Sequence, residues 1–123
     1  MDPMGTPLFD ASVLQRLAAQ ARGHGDTRLV VELVHDALAS IQSLTAEIED
    51  AAGVPDFPRL RSSAHRIKGV LRQVGAMRMG ERAARVESLA TTADDSAVQA
   101  TREILDLRDA TLEALREHLS TLD

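Results

Sequence analysis

The sequence predicts an all-α protein: an antiparallel up-down-up-down four-helix bundle with a short extra helix at its N-terminus. Three observations predict it. Apolar residues recur at spacings of three and four, the period of a helix buried on one side. Gly and Pro cluster at a few places and leave short loops, which make successive helices antiparallel neighbours. Aromatic residues are nearly absent, Phe9 and Phe57 alone. Ala, Leu, Val, Ile and Met must therefore fill the core, and such side chains interdigitate better between helices than inside a sandwich or barrel.

The elements follow in chain order. Residues 1–8 hold two prolines and a glycine and are expected to form a flexible arm, its start read as partly a cloning remnant. The rest, 9–123, is expected to be one domain, a size that suits 123 residues. Phe9-Asp10 opens the first helix, with Asp10 as N-cap and Phe9 and Leu14 placed as a hydrophobic staple. Val13, Leu14 and Leu17 give it an apolar edge, and Gly23-His24-Gly25 ends it.

Asp26 is the expected cap of the second helix. Leu29, Val30, Leu33, Val34, Ala37, Leu38, Ile41, Leu44 and Ile48 form its stripe, which runs to about Asp50. Gly53, Pro55 and Pro58 mark the next turn, with Asp56 as cap of a third helix reaching Val74. Gly75 suits the left-handed position after that helix. A fourth helix spans roughly Met77 to Ala90, with Met79, Ala83, Val86 and Ala90 on one side and small residues at Gly80, Ala83 and Ala84. After a turn at Thr91–Asp95, the last helix is capped by Asp94, Asp95 or Ser96. Its expected face is Val98, Thr101, Ile104, Leu105, Arg108, Leu112, Leu115 and Leu119.

Composition removes several functions. Hydrophobic residues make up 44% and charged residues 27% of the chain, the balance of a soluble globular domain. No cysteine is present, so disulfide scaffolds and thiolate metal sites are excluded. No continuous apolar run approaches the ~20 residues that span a bilayer, and no signal-peptide pattern opens the chain. A cytoplasmic location is the expectation. A net charge of −5 and the lack of aromatic stacking platforms argue against nucleic acid as partner.

Against that acidic background one helix is cationic. Residues 57–74 contain Arg59, Arg61, Arg66, Lys68 and Arg72 and no acid. At 100° per residue, Leu60, Ser63, Ile67, Val70, Leu71 and Val74 share one face. His65 lies opposite, with Arg61 and Ser62 one turn before, Lys68 and Gly69 one turn after, and Arg72 two turns after. The plain alternative is a solvated face that happens to carry a histidine.

Imidazole titrates near pH 6.5, so a neutral ring is available as a nucleophile at physiological pH. A phosphoryl group placed on it needs cations, and an ammonium one turn away can supply one. Lys68 is the only lysine, against thirteen arginines. Gly69 is the stronger signal. Glycine inside a helix costs roughly 0.5–1 kcal/mol relative to alanine, and here it lies away from the core stripe, where packing does not call for it. The other histidines carry less. His24 sits in a Gly-flanked turn, and His35 and His118 lie beside Asp36 and Glu117, where solvated or boundary positions are expected. With no H-x-x-x-H pair, no E-x-x-H motif and no cysteine, no metal site is expected.

The stretch Ala64-His65-Arg66-Ile67-Lys68-Gly69, then Val74-Gly75-Ala76, Met79, Ala83 and Val86-Glu87, resembles the histidine phosphotransfer (HPt) domain. The family pattern is roughly A-H-x-(L/I)-K-G, a few residues, (L/V/F)-G-(A/L), then L-x(3)-A-x(2)-L-(E/Q). The resemblance covers about residues 9 to 120, and the opening Phe9-Asp10 with Leu14 and Leu17 is similar to the family's short first helix. It implies that His65 is the phospho-acceptor, at the ring nitrogen facing solvent, and that Lys68 helps hold the phosphoryl group. It further implies that Gly69 leaves room for a partner and that Glu87, on the neighbouring helix, orients the ring. The implied partner is a receiver domain of a response regulator or hybrid sensor kinase. Its aspartate gives or takes the phosphoryl group, with magnesium bound on the receiver and no cofactor on this chain.

Val70, Leu71 and Arg72 depart from the small residues usual after the glycine. Arg72, with Arg61 and Ser62, is the expected docking border. With no Gly-rich phosphate loop, the chain is expected to be a carrier without kinase activity of its own, and a monomer. The competing class is a non-catalytic helical bundle that binds a partner through its basic face.

Overall fold

A computed structural model describes residues 5–23 and 28–122. Five helices order the described residues: α1 (Ala11–Gly23), α2 (Arg28–Gly53), α3 (Phe57–Gln73), α4 (Met77–Thr91) and α5 (Ser96–Ser120), with no strand among them. α2 packs on α3 and α5, and α4 packs on the same two, so the four long helices close a ring around one core. α1 leans on α2 and is anchored to the α3–α4 turn by a bond from Asp10 N–H to the Gly75 carbonyl, 2.8 Å. This is the expected bundle with its extra N-terminal helix.

The expected caps form where they fall on described residues. Asp10 Oδ1 accepts from the Ser12 amide at 3.0 Å and from its hydroxyl at 2.6 Å, and these bonds hold the Asp10 carboxyl below its usual pKa. Asp56 Oδ1 accepts from the Arg59 amide at 3.1 Å. Of the three candidates for the last helix, Asp94 supplies the side-chain bond, accepting from the Ser96 amide at 2.8 Å, while Asp95, directly before the helix, makes none. Gly75 is left-handed with φ +85°, and the Ala76 and Gly75 amides bond back to the carbonyls of Leu71 and Arg72. The same closure ends α4 with Ala93 in the left-handed position, φ +53°. The expected turn at His24 and the Asp26 cap lie outside the described residues, as does the start of the arm. Further along that arm Thr6 is tied to α4: its carbonyl accepts from Arg78 Nε at 3.0 Å and its hydroxyl donates to Glu81 Oε2.

The core is aliphatic, as the scarcity of aromatics requires. Leu14, Ile41, Ile48, Leu60, Ile67, Leu71, Met79, Ile104 and Leu115 are fully enclosed, each contributing about 1.5–3 kcal/mol through burial. Phe9 and Phe57 pack only at its margin. Buried Thr45 and Thr101 satisfy their hydroxyls on the carbonyls of Ile41 and Ala97, at 2.8 and 2.9 Å.

Two expectations change. The buried face of α5 is Ala97, Ala100, Thr101, Ile104, Thr111, Leu112 and Leu115, whereas Val98, Leu105, Arg108 and Leu119 are only half-buried. The alanines admit the neighbouring helices closely, and this turns the bulkier Val98 and Leu105 to the edge. There they line a groove with Glu49, Ala52 and Gly53 of α2. By length and composition α2 is also apolar enough to cross a membrane. Its apolar stripe, from Val30 to Ala52, is buried in the bundle, while Glu32, Asp36, Glu49 and Asp50 are exposed on its outer side.

Candidate functional site

The site is built by the α3–α4 hairpin. Leu60, Ser63, Ala64, Ile67 and Leu71 bury one face of α3, and Met79, Ala83, Val86 and Ala90 bury one face of α4. In an antiparallel pair, residues at equal distance from the turn lie at equal height. His65 and Glu87 are 22 residues apart and centred on Ala76 of the turn, so the hairpin brings them face to face. Gly75 makes that turn tight enough to set the register.

The Glu87 carboxylate bridges two residues of α3. Its Oε2 lies 2.8 Å from His65 Nδ1 and its Oε1 lies 2.6 Å from Lys68 Nζ. The Lys68 bond, opposed by partial burial and helped by His65, pulls the Glu87 pKa below the ordinary carboxylate value. Glu87 is therefore ionised at neutral pH and can only accept. A neutral His65 ring meets that demand by carrying its proton on Nδ1, which leaves the lone pair on Nε2. The His65 side chain is 66% exposed, against 20% for Lys68 and 21% for Glu87. The imidazole stands out from the surface while the charged pair beneath it is largely covered. Chemically, this is a ring with one nitrogen held and the other presented to whatever approaches.

The α3 cations divide once their partners are placed. Arg59 pairs with Asp50 at 2.9 Å, Arg66 with Glu47 at 3.5 Å and Lys68 with Glu87. Arg61 and Arg72 are exposed and have no ion pair among the described residues. Arg61 and Ser62 line a shallow cleft together with His65, Arg66 and Glu87. Arg72 is not in it; it borders a second groove with Val13, Arg16, Leu17, Gln20, Leu33 and Gln73, between α1, α2 and the end of α3. The structure thus brings Arg61 and Ser62 to the histidine and sets Arg72 apart. Gly69 is exposed, and a Cβ added there would meet nothing within 4 Å.

The sequence of α3 alone does not show that Lys68 is held by Glu87. Nor does it show the pairing of Arg59 and Arg66. A signal for the latter was present in Glu47, Glu49 and Asp50 near the end of the second helix, which the antiparallel turn returns beside the cationic one. Of the other histidines, His35 is exposed, and His24 lies outside the described residues. His118 is half-buried, its ring edge-on to Phe9 with centroids 5.6 Å apart, a packing role at the bundle's end. No three His, Asp or Glu side chains converge as a metal-ligand set among the described residues.

Comparison with curated proteins and with solved structures finds no match. A family model, that of the Hpt domain, matches residues 28–121, which takes in α2 to α5 and leaves α1 outside. Domains of this family carry phosphoryl groups in phosphorelays and work with receiver domains. With that match spanning the bundle that holds His65, the chain belongs to the Hpt family of histidine phosphotransfer domains.

Proposed function

We propose that this domain relays phosphate through His65, whose Nε2 takes the phosphoryl group from a receiver aspartate and returns it to another. The observation that carries the reading is the Glu87 carboxylate on Nδ1 of a ring that is two-thirds exposed. A proton held on Nδ1 keeps the lone pair on the outward nitrogen. In the forward step the bond between phosphorus and the aspartate oxygen breaks as the bond to Nε2 forms. The imidazole ring becomes positive, and Glu87 offsets that charge. Lys68 keeps Glu87 ionised and in place, and its ammonium is one turn from the incoming group. Gly69 leaves a gap on the approach path. Arg61, Ser62 and Arg72 border the surface on which the receiver docks.

The chain needs no cofactor for this. The charge on the transferring group is met by cations and by magnesium on the receiver. Taken alone the domain acts as a monomer, in the cytoplasm, and does not phosphorylate itself with ATP. A purely adhesive basic face is the weaker reading, because Arg59, Arg66 and Lys68 are each matched by an acid.

The test is to incubate the protein with receiver domains phosphorylated by acetyl phosphate. The expected product is acid-labile, base-stable phosphate mapped to His65, absent from a folded His65→Gln protein and absent with ATP and magnesium alone. Label retained in His65→Gln would move the acceptor elsewhere.

A further inference from the structure

The ion pairs around His65 raise a question of charge. Lys68 sits 2.6 Å from Glu87, so its charge is already balanced before any phosphate arrives. A phosphoryl group adds about two negative charges at neutral pH. The ring itself supplies one positive charge on transfer. A further cation must come from a group that is not already paired.

The direction of the histidine side chain says where to look. Helical side chains lean toward the N-terminus of their helix and cover the preceding turn. His65 therefore leans over Arg61 and Ser62. The cleft beside the ring has that composition: Arg61, Ser62, His65, Arg66 and Glu87. Two cations line it. Arg66 is drawn toward Glu47 of α2, 3.5 Å away. Arg61 is exposed and has no acidic partner among the described residues. Ser62 adds a hydroxyl on the same wall.

We infer that Arg61, with Ser62 beside it, contacts the phosphoryl group on His65 Nε2, so that the cleft one turn before the histidine is the phosphoryl pocket. This rests on His65 being the acceptor. It gives Arg61 a task distinct from docking: the guanidinium neutralises the transferring group directly, whichever donor brings it. Lys68 acts from below, through Glu87, and Arg61 acts from the open side.

A small donor separates the two tasks, because it has no docking surface. Phosphoramidate transfers its phosphoryl group to imidazole nitrogen: its P–N bond breaks, ammonia leaves, and the bond to Nε2 forms. The experiment compares loading of intact wild-type protein, Arg61→Ala, Arg61→Lys and Arg116→Ala by phosphoramidate, followed by gel mobility and intact mass. Arg116 is an exposed arginine on α5 and controls for net charge. The expected result is loading about fivefold slower in Arg61→Ala, the scale of one exposed charge contact. Arg61→Lys should recover most of the rate, and Arg116→Ala should match wild type. Equal loading of Arg61→Ala and wild type overturns the inference and leaves Arg61 at most a docking residue. Equal slowing in Arg116→Ala overturns it too, by reducing the effect to net charge. Wild type that loads, but not on His65, removes the acceptor assignment itself and the inference with it.

Discussion

Gly75 closes α3 in the left-handed conformation, φ +85°, whereas Gly69 sits inside the same helix with helical backbone and open space around it. A Cβ at Gly75 would run into the Asp10 carbonyl and touch Val13. A Cβ at Gly69 would touch nothing. The left-handed angle alone does not demand glycine here, since Ala93 takes the equivalent place after α4 at φ +53°. What demands it at Gly75 is the backbone of Asp10, the residue that caps α1, docked on the turn. One glycine is required by the fold; the other is tolerated by the fold at a cost and so points to something outside it. The comparison gives a rule for reading helical glycines: ask what their missing side chain would meet.

The largest effect should come from breaking the architectural side. Gly75→Ala forces a left-handed alanine, at about 1–2 kcal/mol, and a collision with a backbone carbonyl that cannot rotate away, typically another 1–3 kcal/mol. A loss of about 2–5 kcal/mol in urea unfolding is expected, together with loosening of α1. A loss under about 1 kcal/mol would show that the α1 anchor gives way easily, and would weaken the contrast.

A middle effect is expected at Lys68, the neighbour of Gly69. Read from the helix alone it is surface; in the bundle it is four-fifths covered and paired. Lys68→Ala should therefore cost about 1 kcal/mol near neutral pH. The pH dependence checks the cause. Glu87 has its pKa lowered in the folded state, chiefly by Lys68. Its contribution is thus present above the unfolded carboxylate pKa and lost as pH falls through the folded one. The wild type and Lys68→Ala should differ in stability at about pH 7 and converge as the pH falls below the ordinary carboxylate range and through the lowered Glu87 pKa. A difference that stays constant across that range would assign the effect to packing of the lysine stem.

Most of the fold was legible because it depends on local rules. The caps at Asp10 and Asp56, the left-handed Gly75 and the stripe of α4 each follow from a few adjacent residues. So does the outward placement of His65 and Gly69, which a single helical wheel contains. What escaped depends on a second helix. Glu87 lies on α4, and its hold on Lys68 appears only when the hairpin register is known. The pairing of Arg66 with Glu47 of α2 is of the same kind. The expected face of α5 is buried at Thr101, Ile104, Leu112 and Leu115 but not at Val98, Leu105, Arg108 and Leu119, because it weights large aliphatic residues over Ala97 and Ala100, although small residues decide how close two helices come. The role of Glu87 came from the family resemblance, not from spacing along the chain.

The smallest change in stability carries the most direct test, since it asks whether the gap at Gly69 is used. Gly69→Ala removes the backbone-entropy penalty at a position where the added methyl meets nothing within 4 Å, so the domain should gain roughly 0.5–1 kcal/mol. Transfer from a phosphorylated receiver should nevertheless slow, and slow further in Gly69→Leu, because in-line transfer tolerates little displacement of the donor aspartate from Nε2. Melting temperature and transfer rate measured on the same Gly69→Ala sample should therefore move in opposite directions. A protein that melts higher and transfers at the wild-type rate would contradict the account, and so would one that melts clearly lower.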